Sequence, residues 1–292
     1  MRRVLIAAAA SAGLLFAAAP VGADPAPHVV AGGPHGVIPV HGNAGNPHGS
    51  GGGTDPTLHY NGGSVMHGTV VQPIFWGTSW GNASFVGDKI SGLQSFYGGV
   101  GGSSYARTNA EYTDASGHVS TSVSLGSTVL DTSAAPTKAP STTTILTEVS
   151  KRIANPVANG YYPVYIDAKR GHAGYCAWHT AGTVNGVPVQ FGFFFNLDGD
   201  PGCDPGSTAS YSQGLAALAN VSGHELSEML TDPQLNAWYD QSGSENADKC
   251  AWQFNGMSSF GGKQWLIQGN WSNAAYAAGS GYDSLKGCIT SA

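Results

Sequence analysis

The chain has 292 residues, a formal net charge of −6, only 10% charged residues and 43 glycines. So low a charge, with no basic stripe, excludes the ordinary nucleic-acid binder, and the length is enough for one sizeable core. The composition reads as an exported, loop-rich α+β domain. In chain order, Arg2 and Arg3 precede the apolar run "VLIAAAASAGLLFAAA", and small residues stand before Asp24. This is the pattern of a secretory signal peptide over residues 1–23, with an apolar run too short for a membrane span. Residues 24–57 are rich in Pro and Gly and carry His28, His35, His41 and His48. They read as a flexible arm or propeptide, either a solvated tail or a loose metal binder. Residues 58–292 read as a single globular domain.

Within that domain, "GTVVQPIFWG" is apolar and β-prone, with Pro73 pushing it toward a sheet edge or a bulge. "DKISGLQSFYGGV" suits a short helix. "GHVSTSVSLGSTVL" has strand character, and "STTTILTEVSKRIAN" suits a helix capped by Ser141 or a neighbouring threonine. "YYPVYIDA" and "VPVQFGFFFNLD" read as strands. The four cysteines, an even number in an exported chain, suggest two disulfides. Closeness in the chain favours Cys176–Cys203 with Cys250–Cys288, and the absence of any C-x-x-C pair argues against a cysteine metal cluster.

The chemistry concentrates in "SGHELSEMLTDP", Ser222–Pro233. A helix running to Leu230 and stopped before Pro233 gathers Leu215, Leu218, Ser222, Leu226 and Met229 on one arc. His224 and Glu228 share the opposite arc one turn apart, as two ligands of one metal do. Glu225, between the arcs, is placed to accept a proton from a metal-activated water. Further on, "SENADKC" supplies Glu245 as a third ligand and Asp248 as a supporting or alternative one, similar in logic to the gluzincins. Three of the chain's five glutamates fall between 225 and 245, an unusual concentration in so charge-poor a protein. The plain alternative is a solvated helix that happens to carry acids.

Three other places are candidates. His179, in "CAWHT", is either a catalytic or ligating histidine or one packed near Cys176. His172 is a weaker case. Asp198, Asp200 and Asp204 have a spacing that suits calcium or an ordinary turn.

"GHELSEMLTDPQLNAWYDQSGSENADKC" resembles the phosphate-induced protein / EXORDIUM-like family, in which a HELAE-type helix precedes an "NP…NAWY" turn and an "E-I-A-D-x-C" segment. "HYNGGSVMHGTVVQPIFWG", "GYCAWHTAG" and "GDPGCDPG" are similar to other family segments in the same order, over about residues 59–275. The resemblance picks out His179, His224, Glu225, Glu228, Glu245 and Asp248, along with Cys176, Cys250, Trp238 and Tyr239. Here "TDP" stands for "NP" and "ENAD" for "EIAD"; neither change removes a candidate ligand. The resemblance implies an extracellular protein, and for bacterial-type members a zincin-like fold with a mixed or antiparallel sheet, an active-site helix and disulfide staples. The expectation is then a secreted, monomeric zinc metallopeptidase, or an enzyme using another divalent metal, acting on protein or peptide. Its rival is a non-enzymatic extracellular or cell-wall-associated protein whose Trp76, Trp80, Trp238 and Tyr239 stack on a wall polymer.

Overall fold

A computed structural model of the chain describes residues 27–29, 35–41, 55–206 and 210–292. The expected signal peptide, residues 1–23, and much of the arm, including His48, lie outside the described residues.

Nine strands form one mixed sheet. They are β1 (His28–Val29), β2 (His35–Pro39), β3 (Thr69–Val71), β4 (Ile74–Trp76), β5 (Val123–Leu125), β6 (Val129–Asp131), β7 (Gly160–Lys169), β8 (Tyr175–Val184) and β9 (Val187–Asn196). β8 and β9 form an antiparallel hairpin, turned at Asn185 (φ 50°) and Gly186 (φ 76°). The adjacent left-handed pair is what a tight hairpin turn requires. β9 runs parallel to β7, and β7 is parallel to both β3 and β4. β5 and β6 extend the sheet beyond β3 and β4 in turn. β1 and β2 pair antiparallel with the free side of β8.

The expected strand at "GTVVQPIFWG" is therefore two short strands in the sheet interior, divided at Pro73, and not an edge. A second proline, Pro163, sits inside β7. Tyr161, two residues earlier and on the same side of the strand, accepts from the Gln72 N–H at 2.8 Å through its carbonyl. The N–H that Pro163 lacks thus falls beside Gln72 and Pro73, where the neighbouring strand is already interrupted.

Three helices matter for the site: α1 (Lys89–Val100), α2 (Thr142–Arg152) and α3 (Gln213–Thr231). The Ser141 side chain caps α2 as expected. α3 packs against β2, β8, β9 and α1, and Ser212 caps it, its Oγ accepting from the Leu215 N–H at 3.1 Å. From Gly214 to Thr231 every residue of α3 is buried. The helical wheel separates an apolar arc from a polar one, but tertiary packing covers both. The apolar arc meets α1, where Gly92 leaves room for Leu215. On the sheet side, Ser222 bonds the Tyr165 hydroxyl at 2.8 Å, and Tyr165 bonds Tyr97 at 2.7 Å.

Both expected disulfides are formed. Cys176–Cys203 ties β8 to the acidic turn that follows β9. Cys250–Cys288 ties the 3-10 turn Asp248–Cys250 to a C-terminal strand, Cys288–Ile289. The turn's acids bind protein groups: Asp198 pairs with Lys89, Asp200 with the Arg170 guanidinium at 2.8 and 3.0 Å, and Asp204 with the Gly206 N–H. No helix among the described residues is long and apolar enough to cross a membrane.

Candidate metal centre

α3, β8 and the 3-10 turn at Asp248 bring their polar groups to one buried place. From α3 come His224, Glu225 and Glu228, with Asp232 at the helix end. β8 supplies His179, whose neighbours Trp178 and Thr180 point to the opposite face of the sheet by strand alternation. The segment 245–248 supplies Glu245 and Asp248. All are buried except Asp248, whose side chain is 22% exposed.

Two groups of potential ligand atoms share Glu228. In the first, His224 Nε2 lies 3.1 Å from Glu228 Oε1 and 3.5 Å from Asp248 Oδ1. In the second, His179 Nδ1 lies 3.2 Å from Glu225 Oε2 and 3.5 Å from Glu228 Oε2. Within each group the ligand atoms are all within 4.8 Å of one another. Glu245 stands apart from the first group: its Oε2 is 3.5 Å from His179 Nε2, and its backbone N–H donates to Asp248 Oδ2 at 3.2 Å. The roles expected of the two acids are thus exchanged in space, with Asp248 facing His224 and Glu245 facing His179. The Asp248 N–H also donates to Glu228 Oε1 at 2.8 Å, locking the turn to the helix.

The charge balance is uneven. Glu225, Glu228, Asp232, Glu245 and Asp248 outnumber His179 and His224, and no lysine or arginine pairs with any of these acids among the described ion pairs. Burial opposes ionisation throughout. It pushes Glu225 up to about 8, against the hydrogen bond from His179. Burial with the charge of Glu228 holds Glu245 well above the usual carboxylate range. Burial also works to lower His179, but its contacts with Glu225 and Glu228 win and raise it to about 9. For Glu228 the neighbouring imidazoles overcome burial and bring it down to about 2.

These residues fit a divalent cation on three counts. First, the two separations from His224 Nε2, 3.1 and 3.5 Å, match the ~3.3 Å edge of a tetrahedron with zinc–ligand bonds of about 2.0–2.1 Å. Second, His224 Nε2, His179 Nε2, Glu225 Oε1, Glu228 Oε2 and Glu245 Oε2 are buried without a hydrogen-bond partner, and such orphaned groups are costly. Third, a dication offsets the excess of carboxylates. One adjustment is required. The Gln268 amide nitrogen lies 2.9 Å from His224 Nδ1 and also donates to the Ala247 carbonyl at 2.8 Å. A cation on Nε2 places the ring proton on Nδ1, so Gln268 must turn its Oε1 inward, giving up its bond to the Ala247 carbonyl and the one its Oε1 accepts from the Trp252 N–H at 3.3 Å.

Sequence reasoning singled out His179, His224, Glu225, Glu228, Glu245 and Asp248, and all six meet here. It missed Asp232, Gln268 and Gly36. Asp232 carried a signal, since 224, 228 and 232 fall on one helical face. Gln268 and Gly36 come from distant segments and carried none. Among the aromatics expected to stack on a wall polymer, Trp76 and Trp80 are buried; Trp80 Nε1 donates to the Tyr165 carbonyl at 3.0 Å. Trp238 is half-buried, with its indole N–H bonded to the Thr113 carbonyl at 2.7 Å. Comparison of the chain with protein-family models, with curated proteins and with solved structures finds no match in any of the three.

Proposed function

We propose that the chain is a secreted metal-dependent hydrolase, a zincin-type peptidase of EXORDIUM-like character. His224, Glu228 and Asp248 hold a divalent cation, zinc in the first instance. The observation that carries this reading is the buried His224 Nε2, without a hydrogen-bond partner and 3.1 and 3.5 Å from carboxylate oxygens of Glu228 and Asp248. The two disulfides, together with the absence of a membrane-spanning helix among the described residues, are compatible with an exported protein.

When bound, the cation supplies Lewis-acid polarisation of a carbonyl and makes a water acidic enough to attack near neutral pH. The chain's own groups do the rest. Glu225, beside the ligands and with its Oε1 buried without a hydrogen-bond partner, takes the proton from the attacking water and passes it to the leaving amine. His179, with Nδ1 3.2 Å from Glu225, keeps that carboxylate oriented. Glu245, on the other side of the ring, holds the imidazole in place.

Elemental analysis of the wild type beside His224→Ala tests the metal, with bound zinc expected in the first and lost in the second. Glu225→Gln then tests the chemistry. Peptide hydrolysis should fall by about 10²–10⁴-fold while metal content and melting temperature stay near wild type. A chain with no stoichiometric metal and no effect of Glu225→Gln would refute the proposal. The competing role, a metal held only for stability in a non-enzymatic wall protein, has one observation in its favour: only Asp248 of the cluster reaches the surface.

A further inference from the structure

The seal over the cluster is the chain's own N-terminal arm. β2 lies antiparallel along the free side of β8, opposite the side that β9 occupies, with Pro39 across from Tyr175, Ile38 from Ala177 and His35 from His179. Between the last two pairs β8 advances two residues while the arm moves three. The extra residue is a bulge, and it falls at His179. Gly36 makes this crossing with φ 48°, in the left-handed region. A Cβ on Gly36 would collide with the His179 ring and with Glu228 Oε2. Backbone, not a side chain, therefore rests directly on two members of the cluster.

The attachments on either side are mostly main-chain. The Val40 N–H donates to the Gly174 carbonyl at 3.1 Å and the His41 N–H to the Gly202 carbonyl at 2.6 Å. The Pro39 carbonyl accepts from Trp252 Nε1 at 2.8 Å. Upstream, β1 makes only two pairs, with Thr183 and Gly182. Ile38 is the one side chain of β2 that is fully buried. This is the pattern of β-strand addition, in which backbone bonds hold an extended segment and a few pockets read its side chains.

We propose that residues 35–39 occupy in cis the strand position on β8 through which an extended polypeptide reaches the cluster, so that the arm is a self-blocking strap. The peptide this edge takes has glycine where it crosses His179 and an apolar residue two positions later, as Gly36 and Ile38 are arranged. The inference deepens the peptidase reading and rests on it for the claim that the occupied position is a substrate position. The strap itself is tested without any metal.

The probe is a fluorescein-labelled peptide of residues 34–41, PHGVIPVH, offered to the full chain and to the full-length Gly36→Val variant. Displacing the arm in the variant should free the edge, so the peptide binds it about tenfold or more tighter than it binds the wild type. The same peptide carrying valine at the glycine position should bind neither. Equal binding to both chains, with the variant folded by circular dichroism, overturns the proposal. Should Gly36→Val fail to fold, hydrogen exchange on the wild type decides. The Val40 and His41 amides must then exchange at least about tenfold faster than the β8–β9 ladder, because a displaceable strap opens independently of the core; equal protection overturns the proposal. Metal content measured on the same samples separates the two readings: a metal-free chain that still binds the peptide sinks the hydrolase and leaves the strap.

Discussion

His224 turns one ring nitrogen to carboxylates and the other to Gln268, so the orientation of the candidate ligand depends on a residue 44 positions away. Gln268→Ala should leave the fold intact and weaken metal binding by about 10–100-fold, as loss of a group that orients a ligand typically does; titration of the apo-protein with zinc measures it. Outside the site, Asp131 carries a pH dependence of its own. Burial works to raise its pKa. The hydrogen bond with Glu148, those from the Ser133 N–H (2.8 Å) and hydroxyl (2.9 Å), and the charge of Arg152 overcome it and bring the carboxyl down to about 2. A folded pKa below the unfolded value of about 3.9 gives stability that is fully present above about pH 4 and is lost as pH falls through 2. Arg152 is partly solvated, which trims the benefit. Asp131→Asn should therefore cost about 2 kcal/mol near pH 7, with the gap to wild type closing on acidification in urea-unfolding curves. At this scale the candidate ligands were legible because glutamate is scarce and clusters after Ser222. The exchange of Glu245 and Asp248 was not. A three-residue spacing says that two acids are neighbours, not which of them faces a helix elsewhere.

α3 was read from its cap, its period and its Asp-Pro stop, and it runs Gln213–Thr231. Periodicity found its two arcs but not that both would be buried, because burial of the polar arc is decided by what covers it: β8 below, the 245–250 segment beside it and β2 above. The same limit applies to "GTVVQPIFWG". Proline argued for an edge, whereas Pro73 stands at the break between β3 and β4, level with Pro163 on β7. The Cys250–Cys288 staple closes a 38-residue separation, worth about 4 kcal/mol on chain-entropy grounds. It also holds the turn that carries Asp248. Replacing both cysteines by alanine should lower thermal stability and, separately, speed zinc release to a chelator, whereas the same change at Cys176 and Cys203, far from Asp248 in the chain, should affect release less. Comparing melting curves with release rates for the two double variants checks this.

For the molecule as a whole, a cation bound by the folded chain and not by the unfolded one stabilises by mass action. At a thousandfold excess over its dissociation constant that is about 4 kcal/mol, or a fall of about 10 °C in melting temperature on chelation for a domain of this size. Calorimetry with and without chelator measures it, and a second addition of zinc should restore the original value.

By itself the sequence determined the mixed α+β character, the helix that carries the candidate ligands and the types of those ligands, and it favoured the cysteine pairing, because period, capping, composition and chain proximity are local properties. Tertiary structure alone decided that the helix is buried all round, that Asp248 rather than Glu245 stands beside His224, that Gln268 backs the ring, and that the glycine-rich arm returns as a strand over the site. Each of these depends on contacts between segments far apart in the chain. Such contacts are set by how sheet, helix and staples pack together, and no stretch of residues specifies them alone.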